Sequence, residues 1–202
     1  FIAENIELFR FFYSILIAFI CLIVVVKTDR LFRISFHQGI RYFRNAFFFY
    51  GIAFIIRYVF GALIFYEIID SKYFSLVTFL FKYFLIMAGF FLLYSLLWKK
   101  LEFSDKNYYS SLFNPRITIF YIMAFVVVFL DHIWQTHYFI FISQIILFTI
   151  ASGISYLNYV RGKPEYKFLK FYFVAMILAL LAWIFNALSA FLGWNQGFLI
   201  NS

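Results

Sequence analysis

The sequence predicts an all-α fold, a polytopic integral membrane helix bundle, and three observations support this prediction. The first is composition, because 66% of the 202 residues are hydrophobic and only 13% are charged. A soluble domain is about 45–50% apolar and about 25% charged, so this chain has too little polar surface to cover a globule in water. The other two observations are a set of long apolar segments and an alternation of charge between their connections. We expect one transmembrane domain over residues 1–202.

Apolar segments suited to crossing a bilayer occur six times in the chain. A membrane-spanning helix needs about 20 mostly apolar residues. Each segment is predicted to be a helix, because an open strand would leave its backbone polar groups without partners in lipid. The six predicted helices, of which the fourth is short, are Ile6–Val26, Asn45–Ile69, Ser75–Trp98, Arg116–Leu130, Tyr138–Tyr159 and Phe168–Leu192.

Lysine and arginine are concentrated in the first, third and fifth connections. Because loops rich in these residues stay on the cytoplasmic side, the odd connections are predicted to be cytoplasmic and the N-terminus to lie outside. A seventh helix beyond residue 202 would fit this topology. The basic residues of the odd connections are Lys27, Arg30, Arg33, Arg41 and Arg44, then Lys99, Lys100, Lys106 and Arg116, and finally Arg161, Lys163, Lys167 and Lys170.

The same basic residues predict the partners of the chain. They lie in short segments beside the membrane, which favours contact with anionic lipids and not with nucleic acid. The expected location is the cell membrane. An organellar inner membrane is the alternative, because 34 Phe and 16 Tyr are typical of an AT-rich genome.

Several predicted helices carry a face of small residues, which is clearest on the sixth. Small side chains let helix backbones approach closely in lipid, so these faces are predicted to point into the bundle. On the sixth helix we expect Asn186 to hydrogen-bond a neighbouring helix, with a ligand contact as the alternative. That face comprises Ala175, Ala179, Ala182, Asn186, Ser189 and Gly193. Inward faces elsewhere comprise Arg10, Ser14, Ala18 and Cys21; Ala46, Tyr50, Ala53, Arg57 and Gly61; Ser75, Thr78, Lys82, Ile86 and Gly89; and Gln144, Ala151, Ser155 and Asn158.

Arg57 lies well inside the second apolar segment, where a cation is costly. Measured from Asn45, it is about 18 Å along the helix, near the middle of the membrane. Burying its charge without a partner would cost at least about 2.5 kcal/mol. No acidic residue is predicted at its depth, and Lys82 is a second inward-facing cation. Arg57 is therefore predicted either to form structural hydrogen bonds or to bind a ligand or ion.

Polar residues of the outer third predict a vestibule open to the outside. Such a water-filled space would solvate several ionisable side chains together and offer a site for a small, anionic ligand. The candidate ligand-binding residues are Arg57, Lys82, Arg10, Glu67, Gln144, Asn186 and Tyr50.

Motifs for catalysis or cofactor binding are not found. The three histidines do not lie at the membrane depth that haem ligation requires, and no cofactor is predicted. No nucleophile or nucleotide motif is present, so no enzymatic activity is predicted. Asp131, His132 and His137 are weak candidates for zinc, since their spacing matches no strong signature.

Three functions are compatible with these features. The first is a receptor or sensor module that binds a small ligand in the vestibule. Its topology resembles that of seven-helix sensor modules of signalling proteins, which implies a C-terminal output domain as a partner. The alternatives are a small-solute or ion transporter or channel, and a structural subunit of a larger respiratory-type complex with other membrane subunits.

A membrane environment predicts the solution behaviour of the chain. We expect it to leave the membrane fraction only with detergent, because the apolar segments have no other solvent. Size-exclusion chromatography with and without detergent measures this. A monodisperse chain in detergent-free buffer would contradict the membrane assignment.

Overall fold

Helices make up nearly all of the described chain. A computed structural model describes residues 6–36, 38–101, 115–134, 138–161 and 167–191. No strand occurs within these ranges. The elements in chain order are α1 (Ile6–Ser35), α2 (Gln38–Ile55), a π-helical turn (Ile56–Phe60), α3 (Gly61–Phe65), a 3-10 turn (Ser71–Tyr73), α4 (Phe74–Leu101), α5 (Pro115–Trp134), α6 (Tyr138–Arg161) and α7 (Lys167–Phe191).

Five helical segments are long and apolar enough to cross a membrane, as in a multi-pass membrane protein. They correspond to the second through sixth predicted helices: Gln38–Ile64, Phe74–Trp98, Ile117–Trp134, Tyr138–Val160 and Lys170–Phe191. The first predicted span lies within the 30-residue helix α1. The count of six spans and the outside N-terminus stay predictions.

The first connection is much shorter than the sequence predicted. We expected a loop from Lys27 to Arg44, but α1 continues to Ser35 and α2 already begins at Gln38. Hydropathy detects only the apolar part of a helix, and this charged stretch contains no proline or other strong helix breaker before the turn. The chain reverses near Phe36, whose φ of 50° lies in the left-handed region.

Two other boundaries also differ from the prediction. The second predicted helix extended to Ile69, whereas helical structure there ends at Phe65. The fourth was predicted to end at Leu130, whereas α5 continues to Trp134. This extension places Asp131 inside the last turn of a helix and not in a loop.

Helix α4 lies at the centre of the bundle. It packs against α2, α5 and α6, while α1 packs on α2 and α7 packs on α6. Aromatic rings fill the contacts around α4. The ring centroids of Phe49 and Phe91 lie 5.1 Å apart and those of Phe90 and Phe120 also 5.1 Å apart, distances at which offset-stacked rings attract.

Burial confirms most members of the predicted inward faces on α1, α2, α4 and α6, where Ser75 and Asn158 are exposed exceptions. The predicted face of α7 is not buried: Ala175 and Ala182 are exposed, and Ala179, Asn186 and Ser189 are half-buried. The buried members of the predicted faces are Ser14, Cys21, Ala46, Ala53, Arg57, Lys82, Ile86, Gly89, Gln144, Ala151 and Ser155.

The crossing of α1 and α2 depends on Gly51. A Cβ atom at position 51 would lie 3.1 Å from Cys21 Cβ, closer than side chains normally approach. We expect Gly51→Leu to destabilise the fold by about 1–3 kcal/mol through overpacking. Gly153→Leu on α6 is the matched control, because a Cβ there meets nothing within 4 Å.

The measurement is detergent unfolding of both purified variants against the unmodified chain. Both substitutions change helix propensity equally, so their difference isolates the α1–α2 contact. Equal stabilities would show that α1 does not pack against α2 at Gly51.

Candidate functional site

A buried ion pair joins the central helix α4 to α5. Lys82 Nζ lies 2.8 Å from Asp131 Oδ2, and the side chains of Lys82 and Asp131 are only 6% and 0% exposed. Lys82 is eight residues into α4, about 12 Å along the helix from its start. A lysine at this depth requires a partner, because an unpaired buried charge is strongly destabilising.

The sequence analysis placed Asp131 at or near the outer surface and did not pair it with Lys82. This followed from ending the fourth helix at Leu130, four residues too early. The signal that was missed is the apolar character on both sides of Asp131, where Ile133 and Trp134 follow within the same helix. A charged residue flanked by apolar ones near a helix end is a candidate for an inward-facing pair.

Arg57 is also bound within the protein. Its Nη1 donates a hydrogen bond of 3.1 Å to Thr78 Oγ1 on α4. The guanidinium carbon lies 5.6 Å from the ring centroids of both Phe74 and Phe81, a distance typical of cation–π contacts. These contacts support the structural interpretation of Arg57. Sequence analysis found Thr78 on the inward face but not the two phenylalanines.

The position of Arg57 along its helix differs from the prediction. Because α2 begins at Gln38, Arg57 is about 28 Å from the helix start and only about 10 Å from Ile64. It lies in the π-helical turn, a local irregularity that is frequent at functional sites. Arg57 thus lies in the half of this helical segment that leads to the α3–α4 connection.

The predicted vestibule is divided in the structure. Arg57 and Lys82 each contact partners on neighbouring helices, whereas Tyr50, Gln144 and Asn186 line a different space. Glu67 is exposed in the turn after α3, with a φ of 58°. Arg10 lies in α1, and its side chain is outside the described part of the structure.

The space lined by Tyr50, Gln144 and Asn186 is a half-open cleft of about 290 Å³. Its floor is formed by α4 and α6, and its walls by α2 and α7. Among the described helices, α7 packs closely against α6 alone, which leaves the α2 side of α7 open. At one end the rings of Phe43 and Tyr172 bridge α2 and α7, with centroids 6.0 Å apart.

The small-residue face of α7 lines this cleft. We expected this face to pack directly on another helix, but α7 contacts α6 through the adjacent face that carries Met176, Trp183 and Ala187. The Trp183 and Phe141 rings are 6.4 Å apart across that contact. The cleft-lining small residues of α7 are Ala175, Ala179 and Ala182.

Three polar residues are among those that line the otherwise apolar cleft. Gln144 Nε2 donates a long hydrogen bond of 3.5 Å to the Leu85 carbonyl oxygen and is packed against Gly89. Within the described residues, neither the Tyr50 hydroxyl nor the Asn186 carboxamide has a hydrogen-bond partner. Polar groups that line an apolar cleft favour a ligand that can hydrogen-bond.

The zinc candidates do not form a metal site in the described chain. No group of three metal-ligating side chains occurs within it. Asp131 binds Lys82, and the His132 ring lies edge-on to Phe79 with centroids 5.9 Å apart. His137 lies outside the described residues.

The chain was compared with known proteins at three levels. Protein-family models, curated protein sequences and solved structures each gave no match. The function must therefore be inferred from the cleft and the buried charges.

The Lys82–Asp131 pair generates a double-mutant prediction. We expect Lys82→Met and Asp131→Leu each to lower the free energy of unfolding by about 3–5 kcal/mol, because each leaves a buried charge unpaired. The double variant should recover most of this loss, since no charge remains.

The control is Lys72→Met, which breaks the exposed pair of Lys72 and Asp70. It should change stability little, because solvent screens both groups. Additive losses in the Lys82/Asp131 double variant would contradict a direct interaction.

Proposed function

We propose that this chain is a membrane receptor-like or sensor-like module whose ligand binds in the cleft between α2, α4, α6 and α7. The convergence of Tyr50, Gln144 and Asn186 on one cleft carries this proposal. These residues come from three helices and were each candidates from the sequence. A mostly apolar pocket with a few convergent polar groups is the usual form of a small-molecule site.

The lining indicates the class of ligand. No charged side chain is among the lining residues, so an anionic group would have no counter-charge in the cleft. Two carboxamides and a phenol supply both donors and acceptors of hydrogen bonds. The ligand that fits is an uncharged, elongated, mostly apolar molecule with a hydrogen-bonding group, such as a long-chain alcohol. This class replaces the anionic ligand that the isolated sequence favoured.

The dimensions of the cleft agree with an elongated ligand. Its α7 wall extends from Ala175 to Asn186, about 16 Å along the helix. The open side lies between α2 and α7, within the apolar spans of both helices. A lipophilic molecule would enter from the bilayer through this side.

The packing of α7 offers a means of signalling. Among the described helices it is held closely by α6 alone, so its contact with α2 and α4 depends on what fills the cleft. A bound ligand would connect α7 to these helices and shift the population toward a more closed bundle. The contacts that the ligand makes only in the closed state supply the free energy of this population shift.

Anion transport has less support from the geometry. It would require Arg57 and Lys82 to present their charges to a passing anion. Instead Lys82 is neutralised by Asp131, and Arg57 is enclosed by Thr78 and two aromatic rings.

Filling the cleft should weaken ligand binding. We expect Ala179→Phe to reduce saturable labelling of the purified chain by a photoreactive long-chain alcohol about tenfold or more, which corresponds to about 1.4 kcal/mol. Leu178→Phe is the matched control, because Leu178 is 60% exposed on the lipid-facing side of the same helix.

Mass spectrometry of labelled peptides measures the result and its position. Labelling of α2, α4, α6 and α7 peptides is expected in the unmodified chain. Equal labelling of both variants would contradict the cleft as the site. A photoreactive alkane without the hydroxyl should label less strongly, since Tyr50 and Asn186 would stay without partners.

A further inference from the structure

A second cavity lies between α1 and α2, at the end of the bundle where these two helices are connected. It has a volume of about 570 Å³ and is separate from the cleft. From α1, the lining residues are Val25, Val26, Asp29, Arg30 and Arg33. From α2, the lining residues are Arg44, Asn45 and Phe48.

The polar part of this cavity is positively charged. Three arginines and one aspartate line it, which gives a net charge of +2. Asp29 accepts a 3.0 Å hydrogen bond from Arg33 Nε and also binds Arg44 Nη1. These bonds, first that from Arg33 and then that from Arg44, lower the pKa of Asp29 below its ordinary value of 3.8. The carboxylate is therefore ionised at neutral pH and holds both guanidinium groups in place.

Arg30 differs from the other two arginines. Its guanidinium has no hydrogen-bond or ion-pair partner among the described residues. It is exposed on α1, one residue after Asp29. The cavity thus combines two oriented guanidinium groups with a third that is available to an incoming anion.

The apolar part of the cavity faces the predicted membrane interior. Val26 ends the first predicted span and Asn45 begins the second, so the cavity lies at the predicted membrane surface. Val26 and Phe48 are 45% and 47% exposed, on the side of the cavity that continues into the apolar helices. A molecule with an anionic head and an acyl chain would match both parts.

We propose that the cavity between α1 and α2 is a binding site for the phosphate headgroup of an anionic phospholipid. Arg30, Arg33 and Arg44 would contact the phosphate, because guanidinium groups form strong charge-assisted hydrogen bonds with phosphate oxygens. The acyl chains would lie against Val26 and Phe48. The site lies at the predicted membrane surface and does not depend on a ligand in the cleft.

The test is binding of phosphatidic acid to the delipidated, full-length chain in detergent, followed by native mass spectrometry. Arg30→Gln should weaken binding about tenfold, through loss of a charge-assisted contact. It should leave the fold intact, since Arg30 has no partner to lose. Lys27→Gln is the matched control: it removes the same charge from an exposed α1 position that does not line the cavity.

Three outcomes would overturn the proposal. Equal weakening by the two variants would indicate diffuse attraction to the basic surface. Equal binding of phosphatidylcholine would show that the negative charge of the lipid is not recognised. Competition by glycerol phosphate as strong as by phosphatidic acid would assign the site to a soluble phosphate compound. Retained alcohol labelling of the cleft in Arg30→Gln separates this site from the proposed function.

Discussion

The burial of charge inside an apolar bundle is the constraint on which the arrangement of the helices depends. Lys82 on α4 can be buried only because Asp131 on α5 reaches it, and Arg57 only because α4 supplies Thr78 and aromatic rings. All these contacts involve α4. The central helix is therefore located by polar contacts with two of its neighbours, α5 and the π-helical turn after α2, while aromatic packing fills the space between the helices. In lipid, where apolar side chains gain little by leaving the solvent, such directional contacts decide which helices are adjacent.

The two cavities differ in the polarity of their lining residues, in their position in the bundle and in the packing of the helices around them. The cleft between α2 and α7 is apolar, has unsatisfied hydrogen-bonding groups and is bordered by a helix that is loosely held. The α1–α2 cavity is charged, lies at the end of the bundle and is bordered by two helices that pack closely at Gly51. One is suited to a ligand whose binding alters helix packing. The other is suited to a lipid that remains bound and fixes the depth of the hairpin.

Periodicity and hydropathy were sufficient to predict the helices and most of their buried faces. The prediction of Lys82 and Gln144 as inward-facing was correct, because small residues recur beside them at helical spacing. The pairing of Lys82 with Asp131 was missed, since it depends on which helices are neighbours and on a helix end that hydropathy placed too early. The cleft was missed for a related reason. The small residues of α7 indicate a close approach, but the pattern does not state whether a helix, a ligand or lipid occupies the space beside them.

The π-helical turn at Ile56–Phe60 has a consequence for the tolerance of α2 to insertion and deletion. A π turn accommodates one residue more than an α turn, and each residue of an α-helix advances the side chains by about 100°. Deleting one residue of the turn after Arg57 would restore regular hydrogen bonding while preserving the angular phase of α3 relative to α2. Deleting one residue before it, near Ala53, would instead rotate Arg57 away from Thr78. The irregular turn is thus the place where this helix can change length without losing its contacts with α4.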